Sequence, residues 1–228
     1  MLRELLSIFR SDDPLTTMGR DFTDMLGLSR ELTLEAGRIY FGHEVSPEER
    51  TRLLKRDVKI NKLERRIRKQ VIRHLSFPGN EPSVPYGLLM MSVVKDVERI
   101  GDYAKNLMEV VDFRSEDLPS DDITGELKEI RAGIEESFAA AADVFTQSDR
   151  ERAVGFIAEG KSLAGRCDRL VERIARSDYD ARATTAAVLG ARYYKRISSH
   201  LTNVLTSVVM PLHKLDYYDE KYAGTTKE

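Results

Sequence analysis

Apolar side chains recur every three or four residues along almost the whole chain. From Met18, the positions Met18, Phe22, Met25, Leu32, Ala36 and Ile39 fall at helical spacing, with Ser29 filling the one gap. This predicts a helix of about six turns with a coiled-coil-like seam. Gly42 ends it, and Ser46-Pro47-Glu48-Glu49 starts the next. Ser46 is a good N-cap, Pro47 occupies the first helical position and Glu49 completes a capping box. The second helix carries Ile60, Leu63, Ile67 and Val71 and stops before the loop Phe77-Pro78-Gly79-Asn80-Glu81-Pro82. A third runs from about Pro85 to Asp112. Three further helical segments follow at Asp121–Phe145, Arg150–Arg176 and Ala181–Val209, and Pro211 should kink or end the last. No alternating run predicts a strand.

The two halves resemble each other. Asn61-Lys62-Leu63-Glu64-Arg65-Arg66-Ile67 matches Asp168-Arg169-Leu170-Val171-Glu172-Arg173-Ile174. Glu98-Arg99-Ile100-Gly101-Asp102-Tyr103-Ala104-Lys105-Asn106 matches Lys195-Arg196-Ile197-Ser198-Ser199-His200-Leu201-Thr202-Asn203. A shorter connection in the second copy accounts for the change in offset, because nothing there corresponds to the Pro-rich loop. The expectation is an all-α chain of six helices in two tandem three-helix bundles. Its units are an extension over 1–14, repeats over 15–114 and 115–217, and a polar tail over 218–228.

Acidic side chains mark one face of the first repeat. Glu98 and Asp102 stand four residues apart on the third predicted helix and point the same way. On the second, Asp57, Asn61 and Glu64 lie within a sector of about 60°, bordering the apolar stripe. Short connections make the two helices antiparallel neighbours, which brings the stripes together. Asp57, Asn61, Glu98 and Asp102, with Glu64 nearby, then form an all-oxygen site suited to Mg, Mn or Ca, with iron also compatible. The competing reading is a ladder of salt bridges with Arg56, Arg65, Arg66, Lys95 and Arg99. In the second repeat Asp168 and Glu172 remain acidic, but Lys195 and Ser199 stand where Glu98 and Asp102 stood. A lysine ammonium there neutralises the acids without an ion. Simple exposure of Asp168 and Glu172 is the alternative.

Composition narrows the function classes. Thirty-six Lys and Arg balance 38 Asp and Glu in 228 residues, for a formal net charge of −2. That whole-chain balance gives no electrostatic case for nucleic-acid binding, which needs a basic excess on one face. The single cysteine, Cys167, excludes an intrachain disulfide and a thiolate-rich zinc or iron–sulfur site. It reads as a small packing residue. No apolar run approaches the ~20 residues that span a bilayer, and the N-terminus lacks the features of a signal peptide. A cytoplasmic protein is expected. His43, His74, His200 and His213 are scattered, without a Glu-x-x-His or His-Glu-x-x-His pattern; a surface or hydrogen-bonded role fits His200. Leu2, Leu5, Leu6 and Phe9 form a weak apolar stripe, better suited to packing on the bundle than to a membrane or partner.

The duplicated layout, the segment Asp57-Val58-Lys59-Ile60-Asn61-Lys62-Leu63-Glu64 and the segment Asp96-Val97-Glu98-Arg99-Ile100-Gly101-Asp102-Tyr103-Ala104-Lys105-Asn106 resemble the PhoU family. The resemblance runs from about Leu15 to Leu215. It implies a six-helix bundle with an acidic metal-binding surface, and a carboxylate-bound divalent or trivalent ion (Mg, Mn, Fe, Ca or Zn). It also implies a regulatory rather than enzymatic role. The implied partners are the ATPase of a phosphate ABC transporter, a sensor histidine kinase, or another phosphate or ion transporter. A homodimer is compatible with such a bundle. Nucleic acid and direct membrane insertion are not implied, and any attachment at the inner membrane face would come through a partner. Glu98 and Asp102 match the family's acidic pair on the third helix, and Asp57 and Asn61 the pair on the second, with Asn replacing the usual Asp. Lys195, Ser198 and Ser199 depart from the pattern, so one metal site rather than two is expected. A metal-free helical adaptor for another transporter and a carboxylate-bridged di-metal enzyme are the alternatives.

Overall fold

A computed structural model describes residues 14–42, 44–113 and 116–215. Six long helices dominate: α1 (Pro14–Tyr40), α2 (Pro47–Leu75), α3 (Val84–Glu109), α4 (Asp122–Gln147), α5 (Arg150–Ala175) and α6 (Ala181–Val209). Among the described residues there is no strand. The segment Leu2–Phe9 and His43 lie outside the described residues.

The helix starts follow local chemistry. Ser46 Oγ accepts from the Glu49 N–H while Glu49 Oε2 accepts from the Ser46 N–H, completing the capping box ahead of Pro47. Asp121 lies just outside α4, where its carboxylate accepts from the N–H groups of Ile123 and Thr124. Asp149 and Asp180 cap α5 and α6 in the same way. Gly42 turns the chain after α1 at φ +100°, a left-handed conformation that favours glycine. The Pro-rich loop holds a short 3-10 turn, Glu81–Ser83, and α3 starts at Val84, one residue before the expected Pro85. A second 3-10 turn, Val110–Phe113, carries α3 toward the linker.

Each repeat packs as a three-helix bundle, α1–α2–α3 and α4–α5–α6. The bundles join through like elements, α3 against α6 and α1 against α4, which leaves α2 and α5 on the flanks. Phe22, Met25, Leu32, Ile60, Ile67, Val97 and Ile100 are buried in the first repeat; Ile130, Ile134, Ile157, Leu170 and Ile197 are buried in the second. Tyr40 crosses the seam, donating from its hydroxyl to Ala186 O at 3.0 Å. Its ring lies where a side chain at Gly190 would sit. Asp96, 8% exposed, also crosses it: Asn203 Nδ2 donates to Oδ1 at 3.0 Å, and His200 Nδ1 lies 2.8 Å from the same oxygen. The His200 ring stacks on Tyr103. His200 is therefore a hydrogen-bonded residue of the seam. Cys167 is buried, and burial pushes its thiol up to about 12, so it stays protonated and unreactive at neutral pH.

Candidate metal centre

Gly101 sits between the two acidic residues of α3 and faces α2. A Cβ at this position would meet Ile60 Cδ1 at 3.2 Å and Asp57 Oδ1 at 3.8 Å. The missing side chain lets the helices approach closely beside Asp57, which gives the Glu-Arg-Ile-Gly-Asp sequence a physical reason for its glycine.

Asp57 is the centre of the arrangement. Its side chain is mostly buried, with Oδ1 lacking any hydrogen-bond partner and Oδ2 3.8 Å from Lys105 Nζ. Burial raises its pKa above the usual carboxylate value; Lys105 opposes the rise, and the Asp102 and Glu98 charges add to it. Lys105, 3.8 Å from Asp57 Oδ2 and 3.7 Å from Asp102 Oδ1, puts these two acids at one point between α2 and α3, with Glu98 one turn before Asp102. Glu98 pairs with Lys95 at 2.7 Å, and Arg99 reaches Glu98 at 3.9 Å and Asp102 at 3.5 Å.

The other two expected ligands continue along α2. Asn61 is half-buried, and its Oδ1 has no hydrogen-bond partner. Glu64 is 8% exposed; its Oε1 lies 3.1 Å from an Arg68 nitrogen but outside hydrogen-bonding geometry. On successive turns of α2, Asp57 and Asn61 thus each hold a buried oxygen without a hydrogen-bond partner, a costly arrangement without a cation or water to satisfy them, whereas the Glu64 oxygen has Arg68 as its counter-charge. The donor set is hard and all-oxygen, which fits a Mg²⁺, Ca²⁺ or Mn²⁺-type ion. Among the described residues, however, no three His, Cys, Asp or Glu side chains stand close enough together to hold an ion in this arrangement. Among the described residues the ion pair of Glu64 is with Arg68 of its own helix, not with a residue of α3.

The salt-bridge reading is met in part, with different partners. Lys95 and Arg99 serve the α3 acids as expected, but Arg56 pairs with Glu31 and Arg66 with Asp21. Arg65 donates to the Asn61 backbone carbonyl. Sequence reasoning missed Lys105. It lies seven residues after Glu98, on the stripe shared with Asp102, and that spacing was the available signal. In the second repeat, Lys195 Nζ donates to Asp168 Oδ2, and Arg192 lies 3.3 Å from Asp168 Oδ1, while Glu172 is exposed. A groove of about 580 Å³ lies on the other flank of α2, against α1, with Lys59, Lys62 and Arg66 on its α2 wall and Asp24 and Glu31 on its α1 wall. None of Asp57, Asn61, Glu64, Glu98 and Asp102 lines it, which separates it from this centre.

The fold and the site together define a tandem three-helix-bundle protein whose first repeat gathers acidic residues between its second and third helices. Residues 15–111 match the PhoU domain family. Two solved structures share the architecture. PhoU from Pseudomonas aeruginosa superposes with a TM-score of 0.77 at 19% identity, covering 88% of this chain and 97% of that one. The phosphate transport system regulatory protein PhoU from Streptococcus pneumoniae gives 0.73 at 16% identity, covering 86% and 93%. No curated protein sequence matches the chain as a relative. The first repeat thus matches the PhoU domain model, and both repeats together share the fold of the two PhoU structures.

Proposed function

We propose that this protein is a metal-binding regulator of phosphate transport and phosphate-responsive signalling. It acts by contact with a membrane transporter, through its ATPase, or with a sensor histidine kinase. The observation that carries the reading is the PhoU domain over residues 15–111, which contains both acidic stripes and Gly101 between the helices. The name of the Streptococcus pneumoniae neighbour, a phosphate transport system regulatory protein, supports the direction at the level of the fold. The role is regulatory rather than catalytic, and it places the protein in the cytoplasm, where its partners would bring it to the membrane.

Asp57, Asn61, Glu98 and Asp102, with Glu64 beside them, are the residues that would hold the ion. An ion there supplies concentrated positive charge that neutralises the acids and ties α2 to α3. The unpartnered oxygens of Asp57 and Asn61 support this. The test combines elemental analysis of protein purified without a metal column with a phosphate-starvation reporter in a deletion strain. Wild type and Glu98→Gln/Asp102→Asn are compared in both. Metal lost in the variant together with lost complementation is the expected result. Complementation by neither protein would sink the regulatory reading.

A second reading has its own observation: Lys95, Arg99 and Lys105 already counter the α3 acids. In that case the protein is a salt-bridged helical adaptor. Full complementation by a protein that binds no metal would select it.

A further inference from the structure

The outer face of α2 is unlike the rest of the molecule. Between Pro47 and Leu75 the sequence holds eleven Lys and Arg against four Asp and Glu. The four acids do not dilute the exposed face: Glu48 and Glu49 sit in the first turn, and Asp57 and Glu64 are buried. Beyond that first turn, the exposed charges of α2 are Arg52, Lys55, Lys59, Lys62, Arg65, Arg66, Lys69 and Arg73, with no acid from this helix among them; Asp24 and Glu31 of α1 border only the groove edge that Lys59, Lys62 and Arg66 line. Five cations of the helix are already engaged: Arg50, Arg52, Arg56, Arg66 and Arg68 pair with Asp112, Glu49, Glu31, Asp21 and Glu64. Lys55, Lys59, Lys62, Arg65, Lys69 and Arg73 carry no ion pair among the described residues. The near-neutral whole chain conceals a one-sided basic helix.

Apolar side chains share that face. Leu54, Val58 and Ile72 are 40%, 46% and 61% exposed. At 100° per residue they fall along one edge of the sector that holds the free cations, a stripe roughly 30 Å long from Arg52 to Arg73. A basic helix face edged with apolar side chains is the chemistry of an anionic interface.

We infer that the outer face of α2 is a docking surface for an anionic phospholipid bilayer, with Lys55, Lys59, Lys62 and Lys69 meeting headgroup phosphates and Leu54, Val58 and Ile72 seated at the headgroup level. Charge complementarity favours this occupant. A second copy of the face would set cation against cation. A polynucleotide backbone offers nothing to the three apolar side chains. Four lysines, each a point charge on a long flexible stem, suit a diffuse plane of phosphates better than a shaped carboxylate pocket. The contact is peripheral: no helix among the described residues is long and apolar enough to cross a membrane. It does not depend on the regulatory reading above.

Co-sedimentation of the full chain with vesicles tests it. One set is phosphatidylcholine alone, and the other contains about one-third phosphatidylglycerol. Apparent affinity about tenfold or more greater for the anionic set, lost near 0.5 M salt, is expected. Lys55→Gln/Lys59→Gln/Lys62→Gln/Lys69→Gln should abolish the preference while keeping the circular dichroism and melting profile of wild type. Arg152→Glu/Arg169→Glu/Arg176→Glu, on the flank of the second repeat, should leave it unchanged. Equal sedimentation of wild type with both vesicle sets overturns the proposal. So does binding of duplex DNA in preference to anionic vesicles, or an anionic preference that survives the four-lysine substitution. Self-association that the same substitution removes would reassign the face to a second copy.

Discussion

The two repeats share a backbone plan and differ in what stands between their second and third helices. In the first, Glu98 and Asp102 on α3 face Asp57 on α2, and Lys105 lies between them as counter-charge. In the second, by the match of the two halves, Lys195 and Ser199 replace the α3 acids and Ala164 stands in place of Asp57. Asp168, at the position of Asn61, is held by Lys195 and Arg192. Helix approach is nevertheless kept in both. In the first repeat Gly101 on the third helix clears Ile60. In the second, that position is Ser198, whose hydroxyl donates to Gly160 O at 3.1 Å, and the glycine has moved to the middle helix. The close approach is a demand of the fold and survives by changing sides. The cluster of carboxylates is not, and it disappears from one copy.

Breaking that shared approach should have the largest effect. A Cβ at Gly160 would collide with Thr202 Oγ1, so Gly160→Val should destabilise the protein by about 2 kcal/mol or more. Gly101→Ala should cost only about 1 kcal/mol, because the Ile60 methyl it meets can turn aside. Urea unfolding followed by circular dichroism reads both. A loss for Gly160→Val no larger than that for Gly101→Ala would show that the second repeat does not depend on the close approach at Gly160.

Reversing the charge in the second repeat comes next. Lys195→Glu sets a second carboxylate beside Asp168, whose side chain is 48% exposed, so the expected loss is about 1 kcal/mol or less. Combined with Ala164→Asp and Ser199→Asp, it recreates the acids of the first repeat. If those acids form a cation site, added Mn²⁺ should raise the melting temperature of the triple variant above its metal-free value by more than it raises wild type. No difference between the two would show that the acids alone do not make the site.

The smallest effect concerns Asp57. Its folded pKa is raised, first by burial, so its ionised form is the unfavourable one in the fold. Stability from this group is fully present below its unfolded pKa and is lost as pH rises through the raised folded value. Asp57→Asn should therefore raise stability in chelator at neutral pH by under about 1 kcal/mol, because Lys105 offsets part of the burial cost. The advantage should vanish as pH falls toward the ordinary carboxylate range. A destabilised variant at neutral pH would show that the Lys105 pair outweighs burial.

Much of this was written in the sequence, for local reasons. Helix spacing, the Ser46 capping box and the duplicated segments depend on residues within a few turns of one another, and α5 and α6 begin where the pattern places them. The α3 acidic pair was equally legible, since four-residue spacing fixes a shared face. Lys105 lay on the same face yet went unread, because a cation beside two acids looks like ordinary surface pairing until Asp57 arrives from α2. The one-sided charge of α2 was hidden as well, by a count that mixed exposed and buried groups.

By itself, then, the sequence determined six helices, their caps, the internal repeat and the residues of the acidic stripes, because each follows from short-range periodicity. Only the tertiary structure decided which oxygens lose their water, which cations reach them and which face of α2 stays outside. Those outcomes depend on how close two helices come and what each buries, and that distance is set by side chains far apart in the chain, such as Gly101 against Ile60.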